Sequence, residues 1–178
     1  MFIPLHDAND LTYIKRQYVT LGLIAANIII WLMFAGAEAA SLSGFIPNLS
    51  FGFVPSDIFN IAEVPHQYEV VPEPLNFITY AFLHADFWHL AGNMLFLWVF
   101  GDNVEDAMGH IRFLIFYLIC AAAGALAHGA MDMASQAPLI GASGAIAGVV
   151  AAYLILHPKV RVWILVLLRI PLPLPAGL

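Results

Sequence analysis

Apolar residues are gathered along this chain into four long blocks, residues 19–35, 85–100, 111–130 and 139–157. A helix needs about 20 apolar residues to cross a bilayer, within a range of roughly 17–25, so each block reads as a transmembrane span. The second is the least apolar, because Asp86, His89 and Asn93 interrupt it. Polar side chains at that depth are costly and mark the segment as a place where function is expected. The connection between the first two spans, residues 36–83, is long for a structureless loop. Its apolar run of Phe45, Ile46, Leu49, Phe51, Phe53, Val54, Ile58 and Phe59 is broken by Pro47, Gly52 and Pro55. Two readings stay open for it: short helical turns lying in the outer interface, or a loop packed on the bundle. The stretch 160–170 is flanked by Arg161 and Arg169 and is too short to span by itself.

Composition agrees with lipid as the solvent. Of 178 residues, 62% are hydrophobic and 10% charged, against roughly 45–50% and about 25% in a soluble domain. A chain of this size in water buries only about 70% of its unfolded surface, which leaves too much apolar surface without cover. The first ten residues carry Asp7 and Asp10 and no basic run, unlike a cleaved signal peptide. Cys120 is the only cysteine, which excludes an intrachain disulfide and a cysteine-based zinc cluster. A net charge of −6 without a basic patch sets nucleic acid aside as a partner.

Charge also orients the spans. Lys15, Arg16, Arg112, Lys159, Arg161 and Arg169 all fall on one side under the four-span reading. By the positive-inside rule that side, with the N-terminus, is cytoplasmic. The opposite face holds Glu38, Asp57, Glu63, Glu69, Glu73 and Asp132 and no Lys or Arg. A bacterial plasma membrane, as a multi-pass protein, is the expected location.

The candidate chemistry lies in the second and fourth spans. His89 and Asn93 are four apart and share a helix face. Read as one helix, His84 would stand about 13 Å along the axis from Asn93, at the helix mouth. Both spans run inward, so Ser143, in Gly141-Ala-Ser-Gly144, reaches the same shallow outer depth. These residue types suit acyl transfer: Ser143 as nucleophile, with its own N–H, the Asn93 amide and a His89 ring N–H as oxyanion donors. Gly141 and Gly144 allow close backbone approach, and Gly144 with Gly148 forms a small-xxx-small pair for tight helix packing. Taken singly, each residue is equally at home in helix packing or interhelical hydrogen bonding. Their agreement in depth, face and chemistry is what favours a site.

The pattern His84-x4-His89-x3-Asn93 followed by Gly141-x-Ser143-Gly144 resembles the rhomboid intramembrane serine proteases. The resemblance takes in the run from Phe77 to His84 and the stretch from Phe100 through Glu105 to Gly109, and so covers roughly residues 77–161. It implies an all-α, rhomboid-like helical bundle forming a single membrane domain. It further implies Ser143 as nucleophile, His89 and Asn93 with the Ser143 N–H as oxyanion donors, His84 as a supporting polar residue and Glu105 as a structural one. It implies no metal and no cofactor, and transmembrane protein substrates cut near the outer face.

Two features depart from that pattern. Leu75-Asn76 stands where many members carry Trp-Arg, and Ala147 where an aromatic often follows the serine by four. More consequentially, the general base that a serine nucleophile needs comes, in rhomboids, from a sixth span, whereas this chain stops at Leu178. His157 lies about 21 Å along the helix from Ser143 and cannot substitute. His110 falls on the cytoplasmic side, and His128, at a plausible depth, matches no position of the family. The chain is therefore expected to be a piece of a longer six-span protein, with four complete spans plus a truncated C-terminal segment, and inactive alone. The competing reading is a pseudoprotease that holds membrane clients without cutting them. A metalloprotease would want His-Glu-x-x-His, which is absent here. A channel would want polar residues along a whole path, whereas these cluster at one depth.

Overall fold

The computed structural model describes residues 2–39, 46–166 and 170–176. Four long helices dominate it: α1 (Tyr18–Ala39), α5 (Phe87–Met108), α6 (His110–Met131) and α7 (Ser143–Leu156). Between α1 and α5 come the short helices α2 (Pro47–Phe51), α3 (Pro55–Ile58) and α4 (Glu73–Thr79), with single 3-10 turns at His66–Tyr68 and Tyr80–Phe82. Strands β1 (Phe2–Asp7), β2 (Arg161–Val166) and β3 (Ile170–Pro175) complete the chain. Helix α7 packs against α5 and α6, and α1 lies against α5. Leu97, Val104, Phe113, Tyr117, Ala121, Val149 and Tyr153 are fully buried where they meet.

The helix ends follow local chemistry. Asp86, read from sequence as part of the second span, is instead the N-cap of α5, its carboxylate accepting the His89 N–H at 2.9 Å. The helix then continues past Phe100 to Met108, where Gly109 at φ +78° turns the chain into α6. At the other end of the fourth block, residues 139–142 are not helical, and α7 begins at Ser143 itself. Among the described residues, by length and composition, α6 alone is a helix long and apolar enough to cross a membrane. The apolar part of α1, Tyr18–Phe34, and α7 are shorter.

The connection from α1 to α5 is packed on the bundle. Phe53 is fully buried and forms an isolated bridge with Leu139, while the Ser56 N–H donates to the Ser135 carbonyl at 2.9 Å. Of the apolar run noted above, Phe45 lies outside the described residues.

The expectation of an all-α fold is corrected at both termini. Within the stretch expected as a truncated C-terminal segment, Arg161–Val166 forms β2, which pairs antiparallel with β1 on one side and β3 on the other. Val160, Val162, Trp163, Ile164 and Val166 are strand formers, and Pro171, Pro173 and Pro175 cannot continue a helix. The prolines also fit their edge. The Ala176 N–H donates to the Val160 carbonyl at 2.9 Å. By alternation, the odd-numbered positions of β3 therefore turn their nitrogens to the open side. Proline there sacrifices no ladder bond and blunts the edge.

Two adjacent acids at the end of α5 tie the N-terminal segment down. The Glu105 carboxylate, fully buried, accepts the Val19 and Thr20 N–H groups at 2.9 and 2.8 Å and the Thr20 hydroxyl at 2.7 Å, and pairs with His110. It thus caps α1 from another helix, placing negative charge at a helix N-terminus. Asp106 accepts the N–H groups of Thr12, Tyr13 and Ile14 at 2.9, 2.7 and 2.6 Å. Burial pushes the Asp7 carboxyl up, with the hydrogen bond from the Tyr153 hydroxyl at 2.6 Å partly offsetting it, and Asn103 Nδ2 donates to the same oxygen at 3.0 Å. Asn9 bonds to Asn103 and reaches His157 Nδ1 at 3.4 Å, so β1, α5 and the end of α7 meet in one polar cluster.

Candidate active site

The site is built where the entry to α5 meets the entry to α7. Ser143, the first residue of α7, is exposed on an open groove of about 490 Å³ that it lines with Asn93, Phe96, Ile146, Ala147, Val150, Ala151 and Leu154. Apart from Ser143 and Asn93 the lining is apolar. A helix N-terminus leaves its first N–H groups without intrahelical partners, and the Ser143 N–H, beside its own hydroxyl, has no acceptor among the described residues.

Asn93 and His89 share a face of α5, as their spacing predicts. His84 does not lie on that helix, since α5 begins at Phe87. The helical distance of 13 Å accordingly collapses: the chain folds back, and His84 Nε2 sits 3.0 Å from Asn93 Nδ2. The Ala142 N–H reaches the same nitrogen at 3.5 Å. The His84 and His89 rings meet edge to face with centroids 5.0 Å apart. Thus His84, His89, Asn93 and the turn before Ser143 form one cluster.

Gly141 is what permits it. Its φ is +118°, a conformation closed to side chains, and a Cβ there would stand 2.6 Å from His89 Nε2 and 3.8 Å from Asn93 Nδ2. Gly144 serves the helix contact. A Cβ on it would meet the Tyr80 hydroxyl at 2.7 Å and Gly124 Cα at 3.2 Å, while one on Gly148 would meet Cys120 Sγ at 2.3 Å. The small-xxx-small pair of α7 therefore faces Cys120 and Gly124, one turn apart on α6.

Tyr80 is the residue that sequence reasoning missed. Its carbonyl accepts the Gly141 N–H at 2.9 Å, and its buried hydroxyl donates to the Ala121 carbonyl at 2.7 Å. It braces the turn before Ser143 and the seam between α6 and α7 together. A single sequence offers no signal for this, because its partners lie far along the chain. Of the histidines weighed as a base, His157 lies at the far end of α7, its ring tilted against Tyr153 with centroids 5.2 Å apart. His110 is engaged with Glu105 at the same far end, and His128 is exposed in the last turn of α6.

Comparison with known proteins bears on this arrangement. The family model of the rhomboid domain matches residues 72–176. The chain belongs to the rhomboid family. That bears out the resemblance read from the His84, His89, Asn93 and Ser143 motifs. Among rhomboid relatives, "Rhomboid protein 1, mitochondrial" of Saccharomyces cerevisiae is 34% identical over 115 residues, 62% of this chain and 32% of the yeast protein. The human "Presenilin-associated rhomboid-like protein, mitochondrial" is 27% identical over 156 residues, 85% of this chain and 36% of its own. "Rhomboid protease GluP" of Bacillus subtilis is 43% identical over 72 residues, 40% of this chain and 14% of that protein. The chain spans about a third of the length of the first two. No solved structure matches. Rhomboids are membrane proteins, and the family includes serine proteases.

Proposed function

We propose that this rhomboid domain carries the nucleophile and oxyanion hole of an intramembrane serine endopeptidase that cuts membrane-anchored proteins near the outer membrane face. One observation carries the reading: Ser143 and Asn93 line one open groove, with His89 seated against the turn that precedes the serine. In this reading the Ser143 hydroxyl attacks the scissile carbonyl. The developing oxyanion is met by the Ser143 N–H, the Asn93 amide and a His89 ring N–H, in a setting where lipid keeps bulk water scarce. The apolar remainder of the groove suits a transmembrane segment of the substrate. The general base is a histidine from outside these 178 residues, and the shortness of the chain against its relatives leaves room for one.

The helices α1, α5, α6 and α7 are proposed as four spans with the N-terminus cytoplasmic, in a cell inner membrane. Lys15, Arg16, Arg112, Lys159 and Arg161 support this orientation, because the contacts of Glu105 with Val19 and of Asn9 with His157 gather their segments at one end of the bundle. Arg169 lies outside the described residues. No cofactor, metal or nucleic acid enters the proposal.

The test is labelling with a serine-directed fluorophosphonate probe in membranes. It compares this chain, a form extended along its reading frame, and Ser143→Ala in each. Labelling of the extended form alone, lost in Ser143→Ala, is the expected result. Labelling of the short chain would bring His128 back as a base. No labelling of either form, beside an active control enzyme, would favour the client-binding pseudoprotease.

A further inference from the structure

A single carboxylate oxygen joins the two helices that carry the candidate site. Asp7, at the end of β1, is buried, and its Oδ2 accepts both the Tyr153 hydroxyl of α7 at 2.6 Å and Asn103 Nδ2 of α5 at 3.0 Å. Tyr153 and Asn103 are themselves buried. The Asn103 amide is fully engaged: its Oδ1 accepts from Asn9, and its Nδ2 donates to Asp102 at 3.1 Å as well as to Asp7. The place of this junction along both helices gives it a bearing on the site. Asn103 stands ten residues past Asn93 on α5, and Tyr153 ten residues past Ser143 on α7. At helical rise, each lies about 15 Å along its helix from the residue that lines the groove. The two helices therefore run in the same direction, with Asn93 and Ser143 lining one groove at one end and Asp7 tying them at the other. Beside the junction the Phe100 and Tyr153 rings meet edge to face with centroids 4.9 Å apart, and nearer the site Leu97 and Val149 are fully buried. Apolar burial is non-directional and holds the helices together. Hydrogen bonds of defined length and angle fix how one helix sits on the other.

We infer that Asp7 is a positioning residue: by binding Asn103 and Tyr153 with one oxygen it sets the crossing of α5 on α7, and with it the place of His89 and Asn93 relative to Ser143. Strand β1 is thereby part of the frame of the site, although none of its described residues lines the groove. Loss of that oxygen leaves the buried Tyr153 hydroxyl without its acceptor and releases one N–H of Asn103, so the far ends of the helices shift. A misplacement of about 1 Å, caused far from the chemistry, costs up to about 10² in rate. The catalytic consequence rests on the protease reading above; the coupling of the two helix ends does not.

The test measures the helix ends opposite the junction. Spin labels on Trp88→Cys in α5 and Ala147→Cys in α7, both exposed positions, report the distance between those ends by pulsed electron paramagnetic resonance in bilayers. Cys120→Ser removes the native thiol. With Asp7 intact, one narrow distance distribution is expected. Asp7→Ala should displace or broaden it, Tyr153→Phe should do the same from the other arm of the junction, and Asp7→Asn, which keeps one acceptor oxygen, should fall between. In the proteolytically active chain without labels, Asp7→Ala should lower kcat about tenfold at unchanged KM, with Asp7→Asn restoring part of it. An unchanged distribution in folded Asp7→Ala overturns the inference, and so does a wild-type kcat in that variant. If Asp7→Ala does not fold, the same two results in Tyr153→Phe decide. A displaced distribution without fluorophosphonate labelling of any form sinks the protease reading and leaves the coupling of the helices standing.

Discussion

Replacing Gly141 by alanine adds one methyl group at the most crowded point of the site. Two costs arise in the folded state. A side chain at φ +118° is held in a region essentially reserved for glycine, a strain of about 1–3 kcal/mol. The new Cβ would also stand 2.6 Å from His89 Nε2 and 2.7 Å from His89 Cε1. These distances fall about 0.8 Å short of ordinary contact, an overpacking worth about 1–3 kcal/mol. If His89 stays in place, both apply, and Gly141→Ala should lose about 2–6 kcal/mol. If the ring swings aside, the second cost falls, but His89 leaves its proposed place as an oxyanion donor, and the proposal then predicts a loss of about 10²–10³ in acylation rate. For a chain of this size, each kcal/mol shifts Tm by roughly 2–4 °C, so the first case predicts a drop of about 4–24 °C. Thermal unfolding in detergent, read beside the rate of fluorophosphonate labelling in the active form, separates the two. A variant with both the Tm and the labelling rate of wild type would show that neither the strain nor the contact with His89 exists, and the site geometry would have to be redrawn.

The remaining expectations concern the frame around the site. Glu105→Ala removes the cap of α1 and leaves Val19, Thr20 and His110 without their acceptor. It should cost about 3–5 kcal/mol, Glu105→Gln less, with faster hydrogen exchange at the Val19 and Thr20 amides as the readout. Tyr80→Phe deletes the 2.7 Å bond to the Ala121 carbonyl and should cost about 1–3 kcal/mol, seen as a lower Tm with the α6–α7 seam loosened. Gly148→Leu should separate α7 from α6 at Cys120, raising the reactivity of that thiol toward a maleimide; an unchanged rate would contradict the close contact. Asp106→Asn leaves one acceptor oxygen where the two carboxylate oxygens receive three N–H groups, so exchange protection at Thr12, Tyr13 and Ile14 should be weakened at neutral pH; unchanged protection would contradict those bonds.

Much of this protein is legible from residue type and spacing, because the properties concerned are local or additive. Long apolar blocks locate α1, α5, α6 and α7, since hydropathy sums along a helix without knowledge of what the helix touches. A four-residue spacing places His89 and Asn93 on one face, and the run around Ser143 marks a close-packed turn, because helical geometry is fixed by the backbone. The small pair Gly144 and Gly148 foretells a tight helix seam, though not that Cys120 and Gly124 form its other side.

What the tertiary structure decided depends on residues far apart in the chain. Asp86 became a cap and not part of a span, which let His84 leave the helix and turn back onto Asn93. Tyr80 became the brace of the turn before Ser143, and Glu105 the cap of a helix that begins 87 residues earlier in the sequence. The terminal strands were hidden for the same reason: a strand has no internal hydrogen bonds, so residues 2–7 and 161–166 reveal themselves as a sheet only once the bundle brings them side by side. Helices satisfy their own backbone and can be read one at a time; a pairing, a cap from another element or a shared turn is a property of two segments, and one sequence states only that each is present.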